Sequence, residues 1–153
     1  MDYSEFRHMT FTRRERILTI TLNRPPMNPI HYELHNELAR LWYKVQLDHD
    51  ADVVVLTGAG EVFSAGGDIP MMQKRIDDPE LFNQKNLEMK KMIFGLLDLE
   101  KPVIARINGD CIGLGATIAL MGVGPEREPR LHFEIRRDGQ PIDPLLFLRP
   151  PAR

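Results

Sequence analysis

The sequence predicts an α/β fold in which short strands alternate with amphipathic helices, followed by a β-hairpin-like tail. Three observations carry that expectation. Val53–Thr57 (VVVLT) is an uninterrupted apolar and β-branched run of strand length, as expected for a parallel strand covered on both faces. It leads into a Gly-rich turn, FSAGGDI (Phe63–Ile69), and the same design of strand, glycine loop and helix start returns in Lys101–Leu120 (KPVIARINGDCIGLGATIAL). Between the two lies a segment with helical spacing of apolar residues.

Met9–Arg13 and Arg16–Leu22 read as two strands joined by a tight charged turn, with Leu18, Ile20 and Leu22 alternating with Thr19 and Thr21. Asn23–Pro29 (NRPPMNP) is a proline-rich loop that can donate few backbone hydrogen bonds. From His31 to Leu47, the residues Leu34, Leu38, Leu41, Trp42 and Val45 recur every three or four positions, which predicts a helix with one buried face. The polar stretch QKRIDDPE carries Pro79 where a helix can begin, and Met89, Met92, Ile93, Leu96 and Leu97 mark that helix. Pro102–Asn108 is the next strand, and Gly115–Met121 opens another helix. The order predicts right-handed crossovers. At Gly122–Arg130 the character changes abruptly: six of the 12 prolines lie from Pro125 onward. Leu131, Phe133 and Ile135 then alternate with polar residues, and Asp138-Gly139 supplies a turn.

The composition is that of an ordinary soluble globular domain: 153 residues, 42% hydrophobic, 27% charged, net charge −2. It gives no electrostatic reason to expect nucleic acid or an anionic membrane as partner. No apolar run has the length of a signal peptide core or a membrane span, so the expected compartment is the cytoplasm. The single cysteine, Cys111, fits a reducing compartment and reads as a small buried residue rather than a nucleophile, since no histidine lies near it in sequence. HYELH (His31–His35) has the i, i+4 histidine spacing of a helical zinc site, but its glutamate stands in the middle, so a solvated first helical turn is expected and no metal site.

LTITLNRP (Leu18–Pro25), VVVLTGAGEVFSAGGDI (Val53–Ile69) and KPVIARINGDCIGLGATIAL (Lys101–Leu120) together resemble the enoyl-CoA hydratase/isomerase, or crotonase, family over about residues 11–120. The resemblance implies an incomplete ClpP/crotonase-like spiral of ββα units over residues 1–121, and an acyl-CoA thioester as small-molecule ligand. Coenzyme A enters as part of the substrate, and no separate cofactor is expected. It also implies a homotrimer, weakened if the later turns of the spiral are missing, and a setting in fatty acid metabolism.

The family's shared chemistry is enolate stabilisation by two backbone amides, here those of Gly67 and Leu114. A thioester carbonyl gains negative charge when its α-carbon is deprotonated or attacked, and each preorganised N–H donor lowers that barrier by roughly 3 to 4 kcal/mol. The family pattern further puts Met27, Pro29, Ala65, Gly66, Asp68, Ile69, Gly113 and Thr117 along the substrate and CoA wall. Asp68 can equally cap the segment that follows it. A bulky side chain at Gly67 is expected to abolish binding.

Two departures qualify the expected activity. Family hydratases carry two glutamates; Thr117 stands at the first position and cannot act as a general acid or base near neutral pH, while the second would fall beyond Leu120. GPEREPRLHFEIRRDGQPIDPLLFL (Gly124–Leu148) resembles the C-terminal end of degenerate LytM/M23 metallopeptidase domains that activate cell-wall amidases, which divides the tail into a junction at 122–130 and a fragment at 131–153. Arg130 and His132 stand where the active family has His-x-His, so no zinc site follows. Two other functions therefore stand beside acyl-CoA binding: a non-enzymatic amidase activator, and a chimeric reading frame with no evolved function. With later turns absent, the expected domain is marginal or aggregation-prone, which calorimetry would test.

Overall fold

A computed structural model describes residues 1–120 together with the strand segments 135–137 and 140–142. The order of elements is β1 (Met9–Arg14), β2 (Ile17–Leu22), α1 (Tyr32–Gln46), β3 (Val53–Gly58), β4 (Val62–Ser64), α2 (Ile69–Asp77), α3 (Pro79–Leu97), β5 (Val103–Ala105), β6 (Asp110–Cys111), α4 (Leu114–Leu120), β7 (Ile135–Arg137) and β8 (Gln140–Ile142).

The main sheet has the order β1-β2-β3-β5; β1 and β2 are antiparallel, whereas β2-β3 and β3-β5 are parallel. A parallel pair needs a crossover, and α1 supplies it between β2 and β3 while α2 and α3 supply it between β3 and β5. The alternation expected for β2 is realised: Leu18, Ile20 and Leu22 are buried on the face that meets Leu34, Leu38, Leu41, Trp42 and Val45 of α1 and Met92 and Leu96 of α3. Gly95 lets α3 come close to Trp42; a Cβ there would lie 3.3 Å from the indole.

The expectation that β3 is covered on both faces needs correction. Val54 and Leu56 are fully buried, but Val53 and Val55 are only partly buried, and their neighbour Ile104 on β5 is 48% exposed. α1 and α3 share one core with Val54 and Leu56, and register assigns Val53, Val55 and Ile104 to the opposite face. β5 is also shorter than Pro102–Asn108. The chain leaves the sheet at Asn108, whose Oδ1 accepts from Gly58 N (3.1 Å) and whose Nδ2 donates to Gly60 O (2.7 Å).

Four features lay outside the sequence expectations. β4 and β6 form a small parallel sheet directly before the two glycine loops. α2 occupies part of the stretch read as polar, with Asp68 as its N-cap and Pro70 in its first turn. Tyr3 and Phe6, ahead of β1, join the core beside Phe11, with the Tyr3 and Phe11 rings stacked at 4.3 Å. The first turn of α1 is also not solvated throughout: His35 is 1% exposed because it lies next to the Leu34/Leu38 arc and faces α3.

β7 and β8 pair antiparallel, with Ile135 opposite Ile142, in accord with the expected hairpin. The junction at 122–130, Arg130, His132 and the remaining residues on which the expected LytM resemblance rests lie outside the described residues. Among the described residues no helix is long and apolar enough to cross a membrane.

Candidate functional site

The two glycine loops meet. Gly66 and Gly113 both adopt left-handed backbone, with φ of +82° and +55°, a region that costs an L side chain about 1–2 kcal/mol. They lie so close that a Cβ on Gly66 would stand 3.3 Å from Gly113 Cα and 2.6 Å from Ile112 O. A side chain at 66 would therefore push the loops apart. Gly67 is different. A Cβ there meets nothing nearer than Met72 Sδ at 3.5 Å, so the protein itself has room for a small side chain at this position.

Main-chain pairing holds the proline-rich loop beside the first glycine loop. Ala65 N donates to Met27 O (2.9 Å), Ile30 N to Gly66 O (2.7 Å) and Asp68 N to Ile30 O (3.3 Å), which makes Ile30 and Gly67 a parallel bridge. In such a bridge the central residue on the second strand keeps its own N–H free. Among the described residues, the amides of Gly67 and Leu114 donate to no acceptor. The second loop is fastened to the first by Ile112 N donating to Ser64 O (2.9 Å). It is closed on itself by Gly115 N to Ile112 O (3.1 Å) and Thr117 N to Gly113 O (3.1 Å).

The structure thus gathers Met27, Pro29, Ala65, Gly66, Gly67 and Asp68 on paired segments, with Gly113 and Leu114 opposite. Ile69 is 78% exposed at the start of α2. Of the two roles open to Asp68, capping is the one visible: Oδ1 accepts from Met71 N at 3.1 Å, and the carboxylate lies 3.5 Å from Arg24 Nη1. The Thr117 hydroxyl is turned to its own helix and donates to Gly113 O at 3.3 Å. Cys111 has its thiol pushed up to about 11 by burial, so it is neutral at pH 7 and a poor nucleophile.

Sequence reasoning missed Asn28 and Ser64. Asn28 is fully buried at φ +46°; its Nδ2 donates to Ala59 O (2.8 Å) and Val62 O (2.7 Å), and its Oδ1 accepts from Arg24 N (2.9 Å). One buried amide thereby pairs three partly buried backbone groups. An asparagine inside a proline-rich loop, where positive φ is tolerated, was the available signal.

Behind the loop, His31 and His8 stack edge to face at 4.5 Å, and His8 Nδ1 lies 3.0 Å from Glu37 Oε1. The His31 pKa is lowered by burial and then by the Arg24 guanidinium; that of His35 is lowered by burial, against the pull of Glu88. Among the described residues no three His, Cys, Asp or Glu side chains gather as metal ligands.

A strand-helix spiral with two facing glycine loops defines a class of protein, the crotonase-type α/β folds. The sequence profile of the enoyl-CoA hydratase/isomerase family matches residues 12–122, and the chain belongs to that family. It is 36% identical over 111 residues to 1,2-epoxyphenylacetyl-CoA isomerase of Escherichia coli, an alignment that covers 69% of this chain and 42% of that protein. It is 37% identical over 114 residues to (E)-benzylidenesuccinyl-CoA hydratase of Thauera aromatica, covering 73% and 43%. Among solved structures, an enoyl-CoA hydratase/isomerase from Mycobacterium paratuberculosis superposes with a TM-score of 0.70 at 33% identity, over 74% of this chain and 46% of that one. The chain spans less than half the length of these relatives.

Proposed function

We propose that the chain binds an acyl-CoA thioester and polarises its carbonyl with the Gly67 and Leu114 amides. The observation that carries this reading is the contact of Gly66 with Gly113, which brings two loops together just where each has an amide without an acceptor among the described residues. Two N–H groups aimed at one oxygen stabilise the charge that develops there, and need no side chain to do so. Both relatives described above act, by their names, on CoA thioesters.

At position 117 a hydroxyl, paired with Gly113 O, offers no acid or base where family hydratases carry a glutamate. The proposed role is therefore binding and enolate stabilisation. Met27, Pro29, Ala65, Asp68 and Ile69 form the CoA-facing wall in this reading. Isothermal titration of the full chain with crotonyl-CoA tests it: saturable binding is expected, and Gly67→Trp, which fills the space beside the amide, abolishes it. A folded sample that takes up no acyl-CoA removes the reading.

A further inference from the structure

Ser64, at the end of β4, touches both loops. Its side chain is fully buried, and its Oγ accepts from Gly66 N at 3.1 Å while donating to Asn28 O at 2.8 Å. Because a hydroxyl has one proton, the Asn28 carbonyl takes it and the lone pairs remain for Gly66. Its main-chain carbonyl accepts from Ile112 N at 2.9 Å. On the far side it lies against Gly115: a Cβ there would come within 2.6 Å of Ser64 Cβ and 2.9 Å of its Oγ. The residue contacts the position before Gly67 and two positions that bracket Leu114.

We propose that Ser64 is a positioning residue that sets the separation and direction of the Gly67 and Leu114 amides. The inference rests on the thioester-binding reading above. The hydroxyl fixes the first amide by anchoring Gly66 to the rigid Asn28 segment, and the same residue seats the start of α4 through Ile112 and Gly115. A residue that merely filled space would hold each loop separately. Gly66 itself lies against Ile112 O and Gly113 Cα, so loss of the Oγ frees Gly66 and, through it, loosens the second loop as well.

The test compares the full chain with Ser64→Ala and Ser64→Cys, the latter keeping a weak donor and acceptor should the alanine variant fold poorly. Amide hydrogen exchange by mass spectrometry reads the loops without any ligand. The expected result is about tenfold faster exchange in both 64–68 and 111–116, the factor that accompanies loss of one net hydrogen bond, with β1–β3 unchanged and the cysteine variant intermediate. Acceleration confined to 64–68, or none, overturns the proposal. The infrared carbonyl band of bound [1-13C]crotonyl-CoA supplies a second readout: in Ser64→Ala it should retreat toward the free position while affinity changes less than about threefold. An unmoved band overturns the proposal. Failure of the wild type to bind crotonyl-CoA overturns the thioester reading instead, and the exchange comparison still decides the role of Ser64.

Discussion

The two glycine loops share a sequence design but are anchored in different ways. Loop 63–69 has side chains as well as main chain to hold it: Asn28 braces the turn before it, Ser64 ties Gly66 to the proline-rich segment, and Asp68 caps the helix after it, beside three main-chain bonds to residues 27–30. Loop 109–115 is held mostly by main chain, with Ile112 N bound to the first loop and Gly115 N to its own Ile112. Dependence therefore runs one way. The first loop has its own supports, and the second borrows its position from the first.

Four perturbations break or sharpen that asymmetry. Asn28→Ala should have the largest effect, because it leaves Ala59 O, Val62 O and Arg24 N without their partner in a buried site. A loss of about 3 kcal/mol is expected in denaturant titration, together with faster amide exchange in both loops. Gly66→Ala comes next: the left-handed φ and the approach to Ile112 O combine to cost about 2 kcal/mol, and the gap between the loops widens. Crotonyl-CoA titration should show the variant at least roughly tenfold weaker.

Thr117→Val probes the second loop by itself. Gly113 O keeps its bond from Thr117 N, so stability should move by no more than about 0.5 kcal/mol, and exchange at 64–68 should not respond. A response there would show that dependence runs both ways.

Acid is the mildest probe, and it acts behind the first loop. His31 and His35 have folded-state pKa values lowered mainly by burial, so the unfolded chain binds their protons more readily than the folded one. Stability is complete above the unfolded value of about 6.5 and declines as pH falls below it. The charged groups facing His35 are Glu88, Lys85 and Arg75; those facing His31 are Arg24, Glu33, Asp68 and His8. Melting temperature measured from pH 7.5 to 5 should fall, and His35→Gln should flatten part of that slope. Near the second loop the raised Cys111 thiol stays protonated throughout that range and contributes nothing.

The regular elements were legible wherever a buried face repeats. α1 runs over Tyr32–Gln46, within one residue of the expectation at each end, and α3 begins at Pro79. β4 and β6 have three and two residues, too few for any period to register. α2 buries only Met71, and its stripe at Ile69, Met72 and Ile76 has helical spacing but lies exposed; the polar and charged residues from Gln73 onward made the stretch read as polar instead. In the site, the glycines were legible because left-handed backbone favours them, whereas Asn28 and Ser64 act largely through bonds to residues 31 to 36 positions away. Linear spacing does not encode such bonds. His35 was misread for a related reason: a polar residue at the margin of a helix's buried arc becomes interior only when a second helix supplies its partner, here Glu88.

The Asn28 amide has a consequence for how this chain tolerates insertions and deletions. Surface turns ordinarily accept changes in length. The turn between β3 and β4 does not have that freedom, because Ala59 O and Val62 O must both reach the two protons of one NH2 group. Adding a residue between them would strip one bond and displace Val62, the residue from which the strand into Ser64 departs. A length change at an outer turn would thus surface as a fault in the first glycine loop, legible as faster amide exchange at 64–68.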